Sequence, residues 1–232
     1  MTSIGIHHVA VAQLHDLLQP ELVQLAADAR GQTSGTTVRV NLSRDRQAIE
    51  QEISVAGCDP AIFLVGAHLR RRKDQTSVVG WTMGSMAALR ALQQSEVHVA
   101  GLHLFDPTTR ESNLPFLRRA LKGSNYEVVT FATWEEGLLV RLGNPKSIHA
   151  AADLVDPLVT LVNREEGAGA RLLLDQRLRV AGINSDQVKG YGTIVASHFE
   201  IARAIAGRQA DVGVGIRAAA QLFGLDFVPL QA

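Results

Sequence analysis

The chain has 232 residues, 46% hydrophobic and 20% charged, enough for one large α/β domain or two lobes of about 100 residues each. Basic and acidic residues number 23 each, so no global field draws the chain to nucleic acid or to a membrane surface. Cys58 is the single cysteine, which excludes an intrachain disulfide, and no apolar run approaches the ~18 residues of a membrane span.

The opening MTSIGIHHVAVAQLHD lacks the basic region and long apolar core of a secretory signal, so the expected compartment is cytoplasmic. Residues 1–50 carry the weakest pattern and read as an N-terminal helical or linker segment of unclear role. Leu14, Leu17, Leu18, Leu22 and Leu25 have helical spacing interrupted by Pro20, and Thr37 to Leu42 reads as a short strand. His7 and His8 have no third ligand at useful spacing and read as surface histidines.

From residue 52 the pattern becomes regular. ISVA is a strand, and Gly57-Cys58-Asp59-Pro60 a turn into a helix from Ala61 to Arg72, with Asp59 as its cap and Pro60 in its first turn. The basic run Arg70 to Lys73 complements the negative end of that helix. SVVGW is a strand leading through Gly84 and Ser85 into helix MAALRALQ, and VHVAGLHLFD is a strand ending in His103 and Asp106. A short helix LPFLRRALK, strand EVVTFA, turn Thr133 to Gly137 and strand LLVRL follow, and then a helix through Ile148 and Leu154.

Next come a buried strand, LVTLV, and the turn NREEGAGA, which feeds a helix from about Gly169 to Gly182. A strand, a glycine turn and a helix N-terminus present uncommitted N–H groups and a positive dipole end, which suits an anion. Ser197 and His198 open another helix, Asp211 to Ile216 is a glycine-rich strand, Ala218 to Phe223 a helix and FVPL a final strand. Alternating strands and helices predict an α/β fold with mixed, mostly parallel sheets and a ligand at the strands' carboxyl ends.

The segments AGCDPA (56–61), GSMAAL (84–89), VHVAGLHLFD (97–106), NLPF (113–116), GLLVRLGNPK (137–146), LVNREEGAGARLLLD (161–175), GY (190–191), SHFEIARAIAGRQADVGVGI (197–216) and GLDFVPL (224–230) occur in a specific order. Over about three quarters of the chain that order resembles the type II periplasmic-binding-protein-like ligand domain, molybdate-binding-protein-like, found fused to helix-turn-helix regulators and in molybdenum-cofactor-related proteins. The resemblance implies two α/β lobes around a ligand cleft: residues 51–130 as lobe one, 131–142 as a crossover, 143–224 as lobe two and 225–232 as a return crossover. Two departures stand out. The family's glycine-serine-glycine-threonine-arginine loop is here Gly167-Ala168-Gly169-Ala170-Arg171, without its hydroxyls, and FVPLQA stops where the family continues with a tyrosine-containing strand and further helices.

The expected ligand-binding residues are Cys58, Asp59, Gly84, Ser85, Arg164, Gly167, Ala168, Gly169, Ala170, Arg171, Ser197 and His198. Arg171 lies in a helix's first turn, where a positive charge opposes the dipole and is easiest to explain beside an anion. Asp59 would repel an anion, and so reads as a cap or as the partner of a ligand's donor group. Ser85, His103 and Asp106 can be drawn as a triad, but no G-x-S-x-G elbow supports it, and Cys58 at a helix start can be drawn as a nucleophile. The histidines are scattered along the chain, so no metal site and no cofactor are expected.

The resulting expectation is a non-catalytic sensor for a small anionic or polar solute, molybdate or tungstate among them, within a transcriptional regulator. Its partners would be the small-molecule or oxyanion ligand, DNA only through a fused helix-turn-helix, and a second copy in a homodimer. A solute-binding protein of a transport system and an enzyme or accessory protein of molybdenum-cofactor metabolism are the alternatives.

Overall fold

Two sheets carry the chain in the computed structural model, which describes residues 6–13, 52–71 and 77–230. The first lobe has a five-stranded sheet made from β1 (Ile6–Gln13), β2 (Glu52–Gly57), β3 (Ser77–Thr82), β4 (Val99–Leu102) and β7 (Tyr126–Trp134), in the order β3-β2-β4-β1-β7. Between its parallel strands run α1 (Ala61–Arg71) and α2 (Ser85–Gln93). A small hairpin, β5 (Phe105–Asp106) with β6 (Glu111–Ser112), leads to α3 (Leu114–Ala120). Ala88, Leu89 and Leu92 of α2 pack with Ala56, Ala100, Leu102 and Leu117 in this lobe's core.

The second lobe is built on β8 (Glu136–Val140), which pairs antiparallel with both β11 (Val212–Ile216) and β12 (Asp226–Pro229). A two-stranded parallel pair, β9 (Asn163–Arg164) with β10 (Ile194–Val195), flanks it. The helices are α4 (Gly169–Val180), α5 (His198–Ala206) and α6 (Arg217–Leu222). Alternation along β8 serves two cores: Leu138 and Val140 join the cluster with Leu154, Leu161 and Leu174, while Leu139 joins the one with Ile201, Ile205 and Ala219.

Four expectations change, the last of them at β12. The segment taken as an N-terminal linker supplies β1, a central strand antiparallel to β4 and β7. Its alternating sequence IHHVAVAQ suits a strand, but two adjacent histidines masked the period. The helix expected from Leu14 and the strand at Thr37–Leu42 lie outside the described residues, as do Arg72 and Lys73. LVTLV does not form a ladder. Its backbone bonds go to Asp156, Lys189, Asp211 and Val212, and Leu161 bridges Val212 just before the short β9. The helix expected through Ile148 is a 3-10 turn, Ala151–Val155, because Asp153 draws in the N–H groups of His149 and Ala150 and Pro157 disfavours helix at Asp156.

The lobes join where β7 passes straight into β8 through Glu135. The Glu135 carbonyl accepts from the Arg217 backbone N–H, and its carboxylate pairs with the Arg217 guanidinium, which ties this junction to the second lobe. β12, expected as a crossover, stays in the second lobe beside β8, with Phe227 opposite Leu139.

Candidate functional site

Parallel strands end at one edge of their sheet, and here two of them, β2 and β4, deliver chemistry to it. The β2/β4 register, with Ala56 opposite Ala100, sets the residue after β2 beside the residue after β4. Those residues are Cys58 and His103, and Cys58 Sγ lies 2.8 Å from His103 Nε2. The second lobe adds His198, the first residue of α5, whose Nε2 is 3.8 Å from the same sulfur. Glu136, first residue of β8, places Oε1 3.1 Å from His103 Nδ1 and 4.0 Å from His198 Nε2. All four side chains are buried.

The surroundings hold this cluster in place. Trp134 meets His103 edge-on, with centroids 5.2 Å apart, and lies 5.6 Å from the His198 ring. The Ser85 hydroxyl accepts from the His103 backbone N–H at 3.1 Å. A Cβ on Gly169 would fall 2.2 Å from the His103 carbonyl oxygen, so only glycine lets α4 approach this closely. One on Gly215 would come within 3.6 Å of His198 Nδ1.

Electrostatics follow from this placement. Burial by itself lowers the pKa of His103, but the Cys58 sulfur and the Glu136 carboxylate, on its two ring nitrogens, overcome it and push the pKa up to about 10. A sulfur donor or acceptor at one nitrogen and a carboxylate at the other orient the ring as second-shell carboxylates do in histidine sites.

Beside the cluster opens a cavity of about 380 Å³. Cys58, Asp59, Pro60 and Thr82 line it from the first lobe, and Ala196 to Glu200 from the second. Its walls are therefore the starts of α1 and α5. Asp59 Oδ1 accepts from the Ala61 N–H at 2.8 Å. Across the cavity, Ser197 Oγ accepts from the Glu200 N–H at 3.1 Å while Glu200 Oε2 accepts from the Ala196 N–H at 2.7 Å, a reciprocal cap.

Of the residues singled out from sequence, Cys58, Asp59, Ser197 and His198 meet at this cavity. Of the others, Gly84 packs against the 167–170 turn between the lobes, Ser85 holds the His103 backbone, and Arg164 and Arg171 bond within the second lobe. The Gly167 carbonyl accepts from the Met86 N–H, and a Cβ on Gly84 would lie 3.0 Å from the Ala168 Cα, so these two turns seal directly against each other. Ala168 and Ala170 are fully buried. Arg164 is buried and paired with both oxygens of Glu165. Arg171 donates to the Arg164 carbonyl and stacks over Tyr191, 4.9 Å from the ring centroid. The glycine turn expected to cradle an anion thus holds the start of α2, and its arginines face partners within the second lobe.

The triad reading does not hold. Ser85 bonds to main chain rather than to an imidazole, and Asp106 Oδ1 serves the turn at Thr108. Sequence reasoning placed Cys58 and His198 separately and missed their convergence with His103 and Glu136. Two of the histidines expected to be scattered, His103 and His198, come together in space, with ring centroids 5.5 Å apart. A usable signal existed for His103 alone: it ends a strand predicted parallel to the one that Cys58 follows.

A family model for the PBP superfamily domain matches residues 66–232. The chain belongs to the PBP superfamily. A relative of this PBP-superfamily domain is the uncharacterized protein YvgK of Bacillus subtilis (strain 168), 34% identical over 178 residues. That match takes in 77% of this chain, and the chain spans 58% of the relative's length. Among solved structures, a Clostridium perfringens protein assigned to phosphate ABC transport as the substrate-binding component, with phosphate bound, has a TM-score of 0.53 at 13% identity over 76% of this chain and 74% of its own. The ancestral amino acid-binding protein AncCDT-1, a precursor of cyclohexadienyl dehydratase, has a TM-score of 0.50 at 15% identity over 79% and 80% of the two chains. At these identities the likeness establishes the fold, which is that of the periplasmic-binding-protein type.

Proposed function

We propose that this PBP-superfamily domain is a non-catalytic sensor that closes its two lobes on a small polar solute carrying at least one hydrogen-bond donor group, such as an amine. The observation that supports this reading is the cavity of about 380 Å³ whose two walls are helix starts from different lobes, each bearing a carboxylate, Asp59 and Glu200. A solute touching both walls binds the closed arrangement better than the open one, and that difference is what shifts a population. Carboxylates on both walls favour a solute that donates and disfavour a bare oxyanion.

The oxyanion reading, molybdate or tungstate included, draws support from the positive dipole ends of α1 and α5, which face the same cavity. A thermal-shift screen separates the two. Micromolar to millimolar amines and amino acids should raise the melting temperature, by the equivalent of about 2.7 kcal/mol at a hundredfold excess over Kd. Asp59→Asn keeps an acceptor for the Ala61 N–H but removes the charge, and should weaken amine binding about tenfold. Stabilisation by molybdate alone, strengthened in Asp59→Asn, would replace the donor solute with an oxyanion. No stabilisation by either panel would overturn the sensor reading.

A further inference from the structure

We propose that Cys58, His103 and His198 form a binding site for one thiophilic divalent cation of the zinc class, with a fourth coordination position open toward the cavity. The three potential ligand atoms lie within 4.8 Å of one another, and all three residues are buried. They come from three elements and both lobes: the turn after β2, the residue after β4 and the start of α5.

The donor set defines the cation. One sulfur and two imidazole nitrogens suit zinc and its neighbours and are poor partners for calcium or magnesium. In a tetrahedral zinc site, metal–sulfur and metal–nitrogen bonds of about 2.3 and 2.0 Å put sulfur and nitrogen roughly 3.6 Å apart. The distances from Cys58 Sγ, 2.8 Å to His103 Nε2 and 3.8 Å to His198 Nε2, bracket that value, so small side-chain rotations seat the ion.

A second shell is already built. Glu136 faces His103 Nδ1 at 3.1 Å, which keeps the proton on that nitrogen and leaves Nε2 pointing at the sulfur. Ser85 fixes the backbone of the same histidine from below. Cation entry takes thiolate and neutral imidazole, and the displaced protons leave to solvent.

Cys58 and His198 also line the solute cavity, so the fourth position faces the space where a solute would sit. Only the identity of that fourth ligand rests on the sensor reading. The three protein ligands stand without it. A donor group of the solute, a nitrogen or oxygen lone pair, would complete the coordination and couple cation to lobe closure.

The test uses the full chain, reduced and freed of metal, titrated with Co²⁺ without added solute and then with Zn²⁺. The expected result is uptake of one Co²⁺ per chain, with intense visible bands of a four-coordinate centre, a near-ultraviolet thiolate-to-cobalt band, and displacement by Zn²⁺. Cys58→Ser should lose the near-ultraviolet band, and both Cys58→Ser and His198→Gln should bind at least about tenfold more weakly. Arg118→Ala, on the exposed face of α3 and away from both the cluster and the cavity, should bind as the parent does. No stoichiometric uptake, or weak six-coordinate bands without the thiolate band, would overturn the proposal on the parent chain alone, whatever the variants' folding. Such a failure leaves the solute screen unaffected, and a blank solute screen leaves the cobalt spectrum as evidence for the site.

Discussion

His98 is held by one residue of a neighbouring strand. Its Nδ1 accepts from the Ser54 backbone N–H at 2.8 Å and its own N–H donates to Ser54 Oγ at 3.0 Å, an arrangement that needs Nδ1 unprotonated. Burial lowers its pKa, and the Glu52 charge only partly offsets this. With the folded value below the unfolded one, about 6.5, the unfolded chain takes up the proton first as pH falls. Stability from this group is therefore complete above about pH 6.5 and declines as pH drops toward the lowered folded value. In His98→Asn the amide oxygen can accept the same N–H without titrating. Urea unfolding at pH 7.5 and 5.5 should show a smaller loss of midpoint in the variant than in the parent. Single residues in the site were harder to read from sequence. Cys58 and Ser197 were found because each sits at a helix start with local capping signals. Glu136 was not, because its partners, His103 and His198, lie far from it along the chain.

Among the elements, β8 is the one on which the second lobe turns. All five of its residues are buried, both its edges are paired, and its first residue belongs to the cluster. Leu139 is fully buried in the core that seats α5, the helix that carries His198. Leu139→Ala removes three carbons from that core, and the expected cost is about 2–5 kcal/mol, seen as a lower urea midpoint. Because α5 leans on that core, the variant should also bind Co²⁺ more weakly than the parent. The helices α4 and α5 were legible because their glycine and serine starts and apolar stripes are local. LVTLV was misread because a run of apolar residues signals burial without saying whether the backbone finds a ladder or a set of loops.

For the molecule as a whole, the contact between lobes decides what the conspicuous glycine turn does. Read along the chain, Gly167 to Arg171 resembles an anion cradle. In three dimensions the first lobe fills it: Met86 donates to the Gly167 carbonyl, and Gly169 lies against His103. Gly169→Ala would force a methyl against a main-chain oxygen that cannot rotate away, so the lobes must separate locally. Overpacking of this kind costs about 1–3 kcal/mol. The melting temperature should drop, and the cobalt spectrum should lose intensity even though no ligand has been changed.

What the sequence determined by itself was whatever depends on near neighbours: the strand–turn–helix rhythm, the caps at Asp59 and Ser197, the glycine needed before α4, and through these an α/β fold, while the two lobes were implied by the family resemblance. Only the tertiary structure decided which helix starts share a cavity, which glycine turn is filled, and that one cysteine, two histidines and a glutamate meet. Those outcomes depend on strand register and on how one lobe leans against the other. Both are set by burial summed over the whole chain, and no spacing between adjacent residues encodes them.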